Sequence, residues 1–382
     1  MSNSDTTTES TKSNRSSPVF PLIVTGMHRS GTSLMASFFQ AVGVDVGTDL
    51  FAADERNQRG YFEDVDFLEF QRSILQECCN PSEHGWADWG WTESEHLDLS
   101  LDPIKLTRSI AEARNILKSR SECHAIWGWK DPRTSLLLDF WHQLLPDARY
   151  ILVYRFPWDV ADSVLRLHSP IFSQYPDYAV RIWAFYNRHL LKFYNAHPDR
   201  CILVSVNGFL QQPDRLIKLL QTKFDLPILG SDAAQQVAQI YDPKLFGSLD
   251  RQHPTVQLLC QIYPESLALL AQFDRVADLP SDFPHDVPVP ETNDSANYLA
   301  IRAALSLHYR LLQAESEPKL ESIDRSSDRI SNPKSDAETA ALESQITHLA
   351  AEIAAIKTSK FWKIRTAWFA LKRILSQSSE LH

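Results

Sequence analysis

Eight consecutive residues near the amino terminus carry the densest chemistry in the chain: Gly26-Met27-His28-Arg29-Ser30-Gly31-Thr32-Ser33. They follow the apolar run Val19 to Val24, broken only by Pro21, and open into the helix-like Leu34-Met35-Ala36-Ser37-Phe38-Phe39. A buried strand, a glycine-punctuated loop and a helix N-terminus, in that order, turn uncapped backbone N–H groups toward one point and so favour a bound phosphate or sulfate. The glycine spacing is that of a nucleotide-binding loop, but Thr32 stands where such a loop carries the lysine that reaches the β and γ phosphates. Arg29 is the one cation inside the loop. Its planar fork, among the hydroxyls of Ser30, Thr32 and Ser33, suits a single phosphate carrying a transferable anionic group, with no magnesium ligand required. The plainer alternative is a strand-turn-helix junction in which the glycines only permit the turn.

The run His28-Arg29-Ser30-Gly31-Thr32-Ser33 resembles the 5′-phosphosulfate loop of the sulfotransferases that use 3′-phosphoadenosine 5′-phosphosulfate (PAPS). Two later motifs extend the resemblance. Lys130-Asp131-Pro132 is similar to the Lys-Asp-Pro of tyrosylprotein sulfotransferases and related enzymes, and the spacing from Arg155 to Ser163 matches the arginine and serine that hold the 3′-phosphate in the family. The resemblance implies a cofactor site made of His28, Arg29, Ser30, Gly31, Thr32, Ser33, Arg155 and Ser163. It further implies that Lys130 lies near the transferring group and stabilises charge on its oxygens.

Sulfuryl transfer also needs a base for the acceptor hydroxyl, and a partly desolvated carboxylate can serve. Gly60-Tyr61-Phe62-Glu63-Asp64 resembles the placement of the catalytic glutamate in bacterial members, which makes Glu63 the first candidate, with Asp64 and Glu55 as fallbacks. Equally, Glu63 and Asp64 sit at a helix entry, where the dipole alone favours carboxylates. Asp131 likewise has a plainer role as the cap of a surface turn. The chain departs from the family at Phe156-Pro157-Trp158, where Asp-Pro-Arg is frequent, and at Val206-Asn207-Gly208, where Tyr-Glu-Asp is common. The resemblance spans about Phe20 to Pro227.

These residues need a scaffold that brings them to one rim. Strand-like runs near Ile23, Ile126, Leu152 and Leu203 alternate with helix-like segments: Val65 to Gln76, Pro103 to Lys118, Thr134 to Leu145, one starting at Pro157, Asp177 to Ala196, and Leu216 to Phe224. That alternation predicts a three-layer α/β/α fold with a mostly parallel sheet, P-loop NTPase-like, whose site lies at the carboxyl ends of the strands. The stretch His84 to Trp91 sets Trp86, Trp89 and Trp91 among glycines and acids. It reads either as a cover over the core or as a stacking platform for the C–H face of a sugar.

With 382 residues, 43% of them hydrophobic, the chain can bury a large core. The formal charge of -10 argues against general nucleic-acid binding while allowing a local basic pocket. Five cysteines without Cys-x-x-Cys spacing read as reduced thiols, and no histidine spacing points to a metal. The expected organisation is a disordered 1–17, a sulfotransferase domain over 18–290 closing in a Pro280–Pro290 linker, a helix and mobile linker over 291–336, and a C-terminal extension over 337–382. There, Leu342, Ile346, Leu349, Ile353 and Ile356 form a heptad seam for self-association, followed by a basic, aromatic helix suited to an anionic membrane surface or a partner. Together these features predict a cytoplasmic enzyme, peripheral to the inner membrane face, that sulfates a carbohydrate or glycolipid hydroxyl. A P-loop kinase and a non-catalytic nucleotide-binding scaffold are the alternatives.

Overall fold

The computed structural model describes residues 20–52, 60–97, 103–121, 126–167, 169–226, 232–243, 246, 248–250, 253, 256, 259–260 and 263–283. The expectations for 1–17, Glu55, the linker over 291–336 and the extension over 337–382 lie outside the described residues.

Four strands form one parallel sheet: β1 (Leu22–Gly26), β4 (Gly128–Lys130), β5 (Arg149–Tyr154) and β6 (Cys201–Ser205), in the order β4-β1-β5-β6. Strands β2 (Gly85–Trp86) and β3 (Trp91–Thr92) make a separate antiparallel pair. Period-2 alternation divides the core in two, as a sheet covered on both faces requires. Ile23, Tyr150, Leu152 and Leu203 point into one cluster, and Leu22, Val24, Ile151, Val153, Ile202 and Val204 into the other. The first face is covered chiefly by α2 (Val65–Cys78), α4 (Leu138–Leu144), α5 (Pro157–Leu165) and α7 (Tyr178–Ala196). The second is covered by α1 (Thr32–Ala41), α8 (Val206–Gln211), α9 (Pro213–Phe224) and α10 (Ala233–Ile240). The fold is therefore the three-layer α/β arrangement expected from the alternation. Helices α3 (Pro103–Ser121) and α6 (Pro170–Gln174) complete the order up to α7.

Two boundaries differ from the sequence reading. The strand expected over Ala125 to Trp129 is β4, shifted toward Lys130, so that the lysine belongs to the sheet in register with Val24. The helix expected from Thr134 begins as a 3-10 turn, Pro132–Leu136, and becomes α4 only at Leu138. The cause is local: the Asp131 side chain accepts from Arg133 N at 2.8 Å, and Thr134 and Ser135 turn their hydroxyls inward to Gln71 and Thr25.

The carboxyl-terminal part of the described chain belongs to the same body. Helix α11 (Pro264–Val276) packs on α7, and Leu279 makes a parallel bridge with Val204 of β6. The linker expected from Pro280 starts instead in fixed structure, because the Ser281 backbone N–H and hydroxyl both donate to the Asp274 carboxylate. Among the described residues no helix is long and apolar enough to cross a membrane.

Trp91 settles half of the tryptophan question. Its indole is fully buried, edge-on to Tyr178 at 4.5 Å, in the core rather than at any surface a sugar can reach. Trp91→Ala is expected to cost about 3–5 kcal/mol of stability through the lost burial and the cavity left behind, measured as a lower denaturant midpoint.

Candidate functional site

In the strand order β4-β1-β5-β6, the chain leaves β1 for β4 on one side and then crosses over to β5 on the other, which makes the carboxyl end of β1 a switch point where ligands sit. The adjoining ends are fixed by register: Val24 pairs with Lys130, and Gly26 with Val153, one turn of chain before Arg155. Gly26 has to be glycine, since a Cβ there would stand 2.2 Å from the Val153 carbonyl oxygen.

The loop after β1 holds two left-handed residues, Arg29 (φ 67°) and Gly31 (φ 91°). A non-glycine residue in that region stores strain, a common mark of functional loops. Gly31 caps α1, where no side chain covers the first-turn N–H groups and no acid occupies the first turn. The cradle therefore keeps its preference for an anion. Arg29 Nε donates to Ser163 Oγ at 2.9 Å, and Arg155 donates to the Arg29 carbonyl oxygen at 3.2 Å. The chain thus gathers Arg29, Arg155 and Ser163, which the family resemblance assigned to two phosphate sites, into one cluster. Arg155 is almost wholly buried, lies 4.0 Å over the Phe246 ring and faces Asp159 at 3.6 Å. Burial lowers its pKa, with Asp159 opposing and Arg29 adding to the fall. Asp159 in turn accepts from Ser248 Oγ and from Leu249 N, which ties the start of α5 to the 248–249 segment.

On the β4 side, Lys130 Nζ donates to Glu63 Oε1 at 2.6 Å, both side chains being buried. The Glu63 Oε2 atom is buried without a partner. Burial raises the Glu63 pKa, Lys130 pulls it down, and Asp131 adds to the rise. The carboxylate reaches this place because its segment is pinned on both flanks: Ser33 Oγ donates to the Tyr61 carbonyl at 3.1 Å, and Phe51 N to the Glu63 carbonyl at 2.7 Å. Phe62, just before it, is left-handed at φ 60°.

His28, Arg29, Gly31, Thr32, Ser33, Glu63, Lys130, Arg155 and Ser163 all line one cavity of about 370 Å³. Ser30, expected beside them, does not. Its side chain is fully buried with an unpartnered hydroxyl, since the left-handed Arg29 turns it inward. Ser33 lines the cavity with its hydroxyl engaged by Tyr61. His28 stacks flat on Trp89 at 4.1 Å, and burial, then Arg133, Lys130 and Arg29, hold its pKa well below the ordinary imidazole range.

The two adjacent carboxylates separate cleanly. Asp64 is fully buried away from the cavity, caps α2 by accepting from Asp66 N, and takes both Arg120 Nε at 2.9 Å and Arg120 Nη2 at 2.8 Å. Asp131 is a cap, as its plainer reading had it, but a buried one that receives Gln71 Nε2 at 2.9 Å.

Sequence reasoning missed Arg133, Arg72 and Asp88, which also line the cavity. Arg133 directly follows the Lys-Asp-Pro motif, and its place there was the one available signal. Arg72 sits mid-helix in α2 and carries no motif at all. Among the described residues no group of His, Cys, Asp or Glu is arranged to hold a metal.

A sequence model described as "Sulfotransferase family" matches residues 21–229, more than half of the chain. The chain belongs to the sulfotransferase family. Members of that family use PAPS as the sulfuryl donor, and the donor set fits it, with two arginines, a lysine and an uncapped helix N-terminus on one cavity. Solved structures similar to this enzyme include sulfotransferase STF9 from Mycobacterium avium, at 12% identity and TM-score 0.40, covering 70% of this chain and 79% of that one. The sulfotransferase domain of the Synechococcus PCC 7002 olefin synthase gives 17%, TM-score 0.34, 77% and 96%. Sulfotransferase STF1 from Mycobacterium tuberculosis H37Rv gives 17%, TM-score 0.35, 68% and 77%. Likenesses this distant fix no residue of the site. No curated protein matches the chain.

The carboxylate pair yields a direct test. Asp64→Ala strips Arg120 of two of its carboxylate contacts, leaving Asp66 as its remaining acidic partner, and uncaps α2, and is expected to lower stability by about 1–3 kcal/mol in urea unfolding followed by circular dichroism. Glu63→Gln keeps the volume and one acceptor for Lys130 but leaves the buried ammonium without its counter-charge, so its unfolding midpoint should fall as well, by about 3–5 kcal/mol of stability.

Proposed function

We propose that the enzyme transfers a sulfuryl group from PAPS to a hydroxyl of a carbohydrate or glycolipid, with Glu63 as general base and Lys130 as the charge-stabilising cation. The observation that carries the reading is the buried contact between Lys130 Nζ and Glu63 Oε1, with Oε2 left unpartnered at the same cavity as the anion loop. When bound, PAPS supplies the transferable group and leaves as adenosine 3′,5′-bisphosphate. Arg29, Thr32 and the first-turn N–H groups of α1 bind the 5′ end of such a molecule, and Arg155 and Ser163 its 3′-phosphate.

Glu63 Oε2 takes the acceptor proton. A carboxylate whose pKa lies above its ordinary range is a stronger base than a solvated one, and Lys130 limits the rise that burial causes. Lys130 Nζ, fixed in the sheet by its register with Val24, holds its positive charge where the oxygens of the transferred group gain negative charge. The carbohydrate assignment is supported by Trp86, which keeps part of its surface on the cavity. A kinase requires a loop lysine that Thr32 replaces, and family membership sets both the kinase and the silent scaffold aside.

Two measurements test these roles. Calorimetric titration with adenosine 3′,5′-bisphosphate should show binding to wild type that falls by about 10–100-fold in Arg155→Ala, the worth of charged hydrogen bonds to one phosphate. Unchanged affinity in the variant would remove Arg155 from the site. In the pH profile of kcat/KM, protonation of Glu63 removes the base, so activity should fall as pH drops through a value above the ordinary carboxylate range. Glu63→Gln should abolish that acid limb and lower kcat by about a hundredfold or more.

A further inference from the structure

One wall of the cavity is not used by the reaction as proposed. Asp88 lies between two arginines: Arg72 Nε pairs with its Oδ1, and Arg133 Nη2 with its Oδ2 at 2.8 Å. Arg133 Nε also donates to the Asp88 carbonyl at 2.8 Å, so backbone and side chain are held together. Arg133 is buried, while Asp88 keeps about a third of its side-chain surface open at 30%. Trp86, two residues earlier in the chain, lines the same cavity. Phe172 stacks parallel to its indole at 5.2 Å, which leaves the ring fixed in orientation.

The charges on this wall are already matched. Asp131 stands behind Arg133 at 3.3 Å, and Glu69 pairs with Arg72 at 2.6 Å. An anionic acceptor group would gain little here and would face Asp88. A carboxylate has about four acceptor positions, of which the arginines occupy one on each oxygen, so each Asp88 oxygen retains capacity for a hydroxyl donor. A rigid aromatic face beside a clamped carboxylate is complementary to a neutral polyol ring, with C–H groups on the indole and adjacent hydroxyls on the carboxylate. An acceptor with a single hydroxyl on an apolar body would desolvate the open acceptor positions of Asp88 without filling both, which such sites disfavour.

We infer that Trp86 and Asp88, with Asp88 oriented by Arg72 and Arg133, form a subsite that binds a neutral sugar ring through a pair of adjacent hydroxyls. This rests on the reading of the cavity as a sulfotransferase site with a carbohydrate acceptor and names the residues that select that acceptor. Asp88 and Trp86 bind the ring; Arg72 and Arg133 act through Asp88 as positioning residues.

The test is a glycan array probed with fluorescently labelled full-length enzyme in saturating adenosine 3′,5′-bisphosphate, in parallel with calorimetry of that nucleotide. Wild type should bind a subset of neutral glycans. Asp88→Asn and Trp86→Ala should each weaken that binding about tenfold or more, Trp86→Tyr should retain most of it, and all variants should bind the nucleotide within about twofold of wild type. Should Asp88→Asn fail to fold, Trp86→Ala and its rescue by tyrosine decide the matter. Glycan binding that is absent from wild type, or unchanged in both variants, overturns the subsite. Loss of nucleotide binding by wild type would instead overturn the underlying reading of the cavity, so the two failures are distinct.

Discussion

A lysine and a glutamate held together out of water are the constraint around which this structure is built. Desolvating two charges costs several kcal/mol for each ion, and their attraction offsets that cost only with fixed geometry and further hydrogen bonds. Both conditions are met by the scaffold. Lys130 is a strand residue, and the turn that follows it is locked from below: Thr25 Oγ1 donates to the Asp131 carbonyl at 2.8 Å, Gln71 Nε2 holds the Asp131 carboxylate, and Thr134 and the Trp141 indole both donate to Gln71 Oε1. Helix α2, which carries Gln71, is the helix whose entry presents Glu63. One element thus supplies the support for the cation and the approach of its partner. The pair is costly as an element of stability and intelligible as an element of chemistry, since a base and a cation must both face the reacting centre.

The same economy governs the distribution of charge. Cations on the cavity, Arg29, Arg72, Lys130, Arg133 and Arg155, outnumber the acids Glu63, Asp88 and Asp242 in a chain whose formal charge is -10. Concentrating positive charge in one concave place focuses the field there without making the whole surface basic. It also creates repulsion, which adds to the larger effect of burial in lowering the pKa of Arg155 beside Arg29 and of His28 among three cations. Neutral His28 is what allows flat stacking on Trp89 without adding another charge to the crowd. A dianionic end group and a phosphate on one ligand would relieve that repulsion, so the arrangement of the fold is biased toward such a ligand.

How much of this was readable in the chain follows from what kind of physics fixed each part. The β1 loop, Lys130 and Arg155 were legible because strand ends, glycines and cations recur at short spacing, and backbone geometry alone brings strand ends to one rim. Glu63 was ranked ahead of Asp64 by family resemblance alone, since adjacent carboxylates at a helix entry look alike; the partners, Arg120 for one and Lys130 for the other, are what separate them in space. Arg72 and Asp88 were illegible for the same reason in stronger form. One is mid-helix, the other in a short 3-10 turn, and they meet through long-range contact. Side-chain direction was not readable either: the sequence left Trp91 between a cover and a platform and set Ser30 in the anion loop, and the structure buries both side chains. A single left-handed residue before Ser30, and a two-residue strand around Trp91, turned each side chain into the interior.

The strained backbone ties these observations together. Arg29 and Phe62 are both left-handed, a state that costs about 1–3 kcal/mol for residues with side chains and persists only where the surroundings impose it. They flank the cavity from different segments, joined by the Ser33 hydroxyl on the Tyr61 carbonyl. Strain in the first segment aims Arg29 at Ser163; strain in the second precedes Glu63 in its approach to Lys130. A relaxed backbone at either place would swing a charged side chain away from the rim while leaving the core untouched. Of the four non-glycine left-handed residues among the described ones, these two line the cavity where the anion cradle and the base converge, while Glu95 and Asp225 lie away from it.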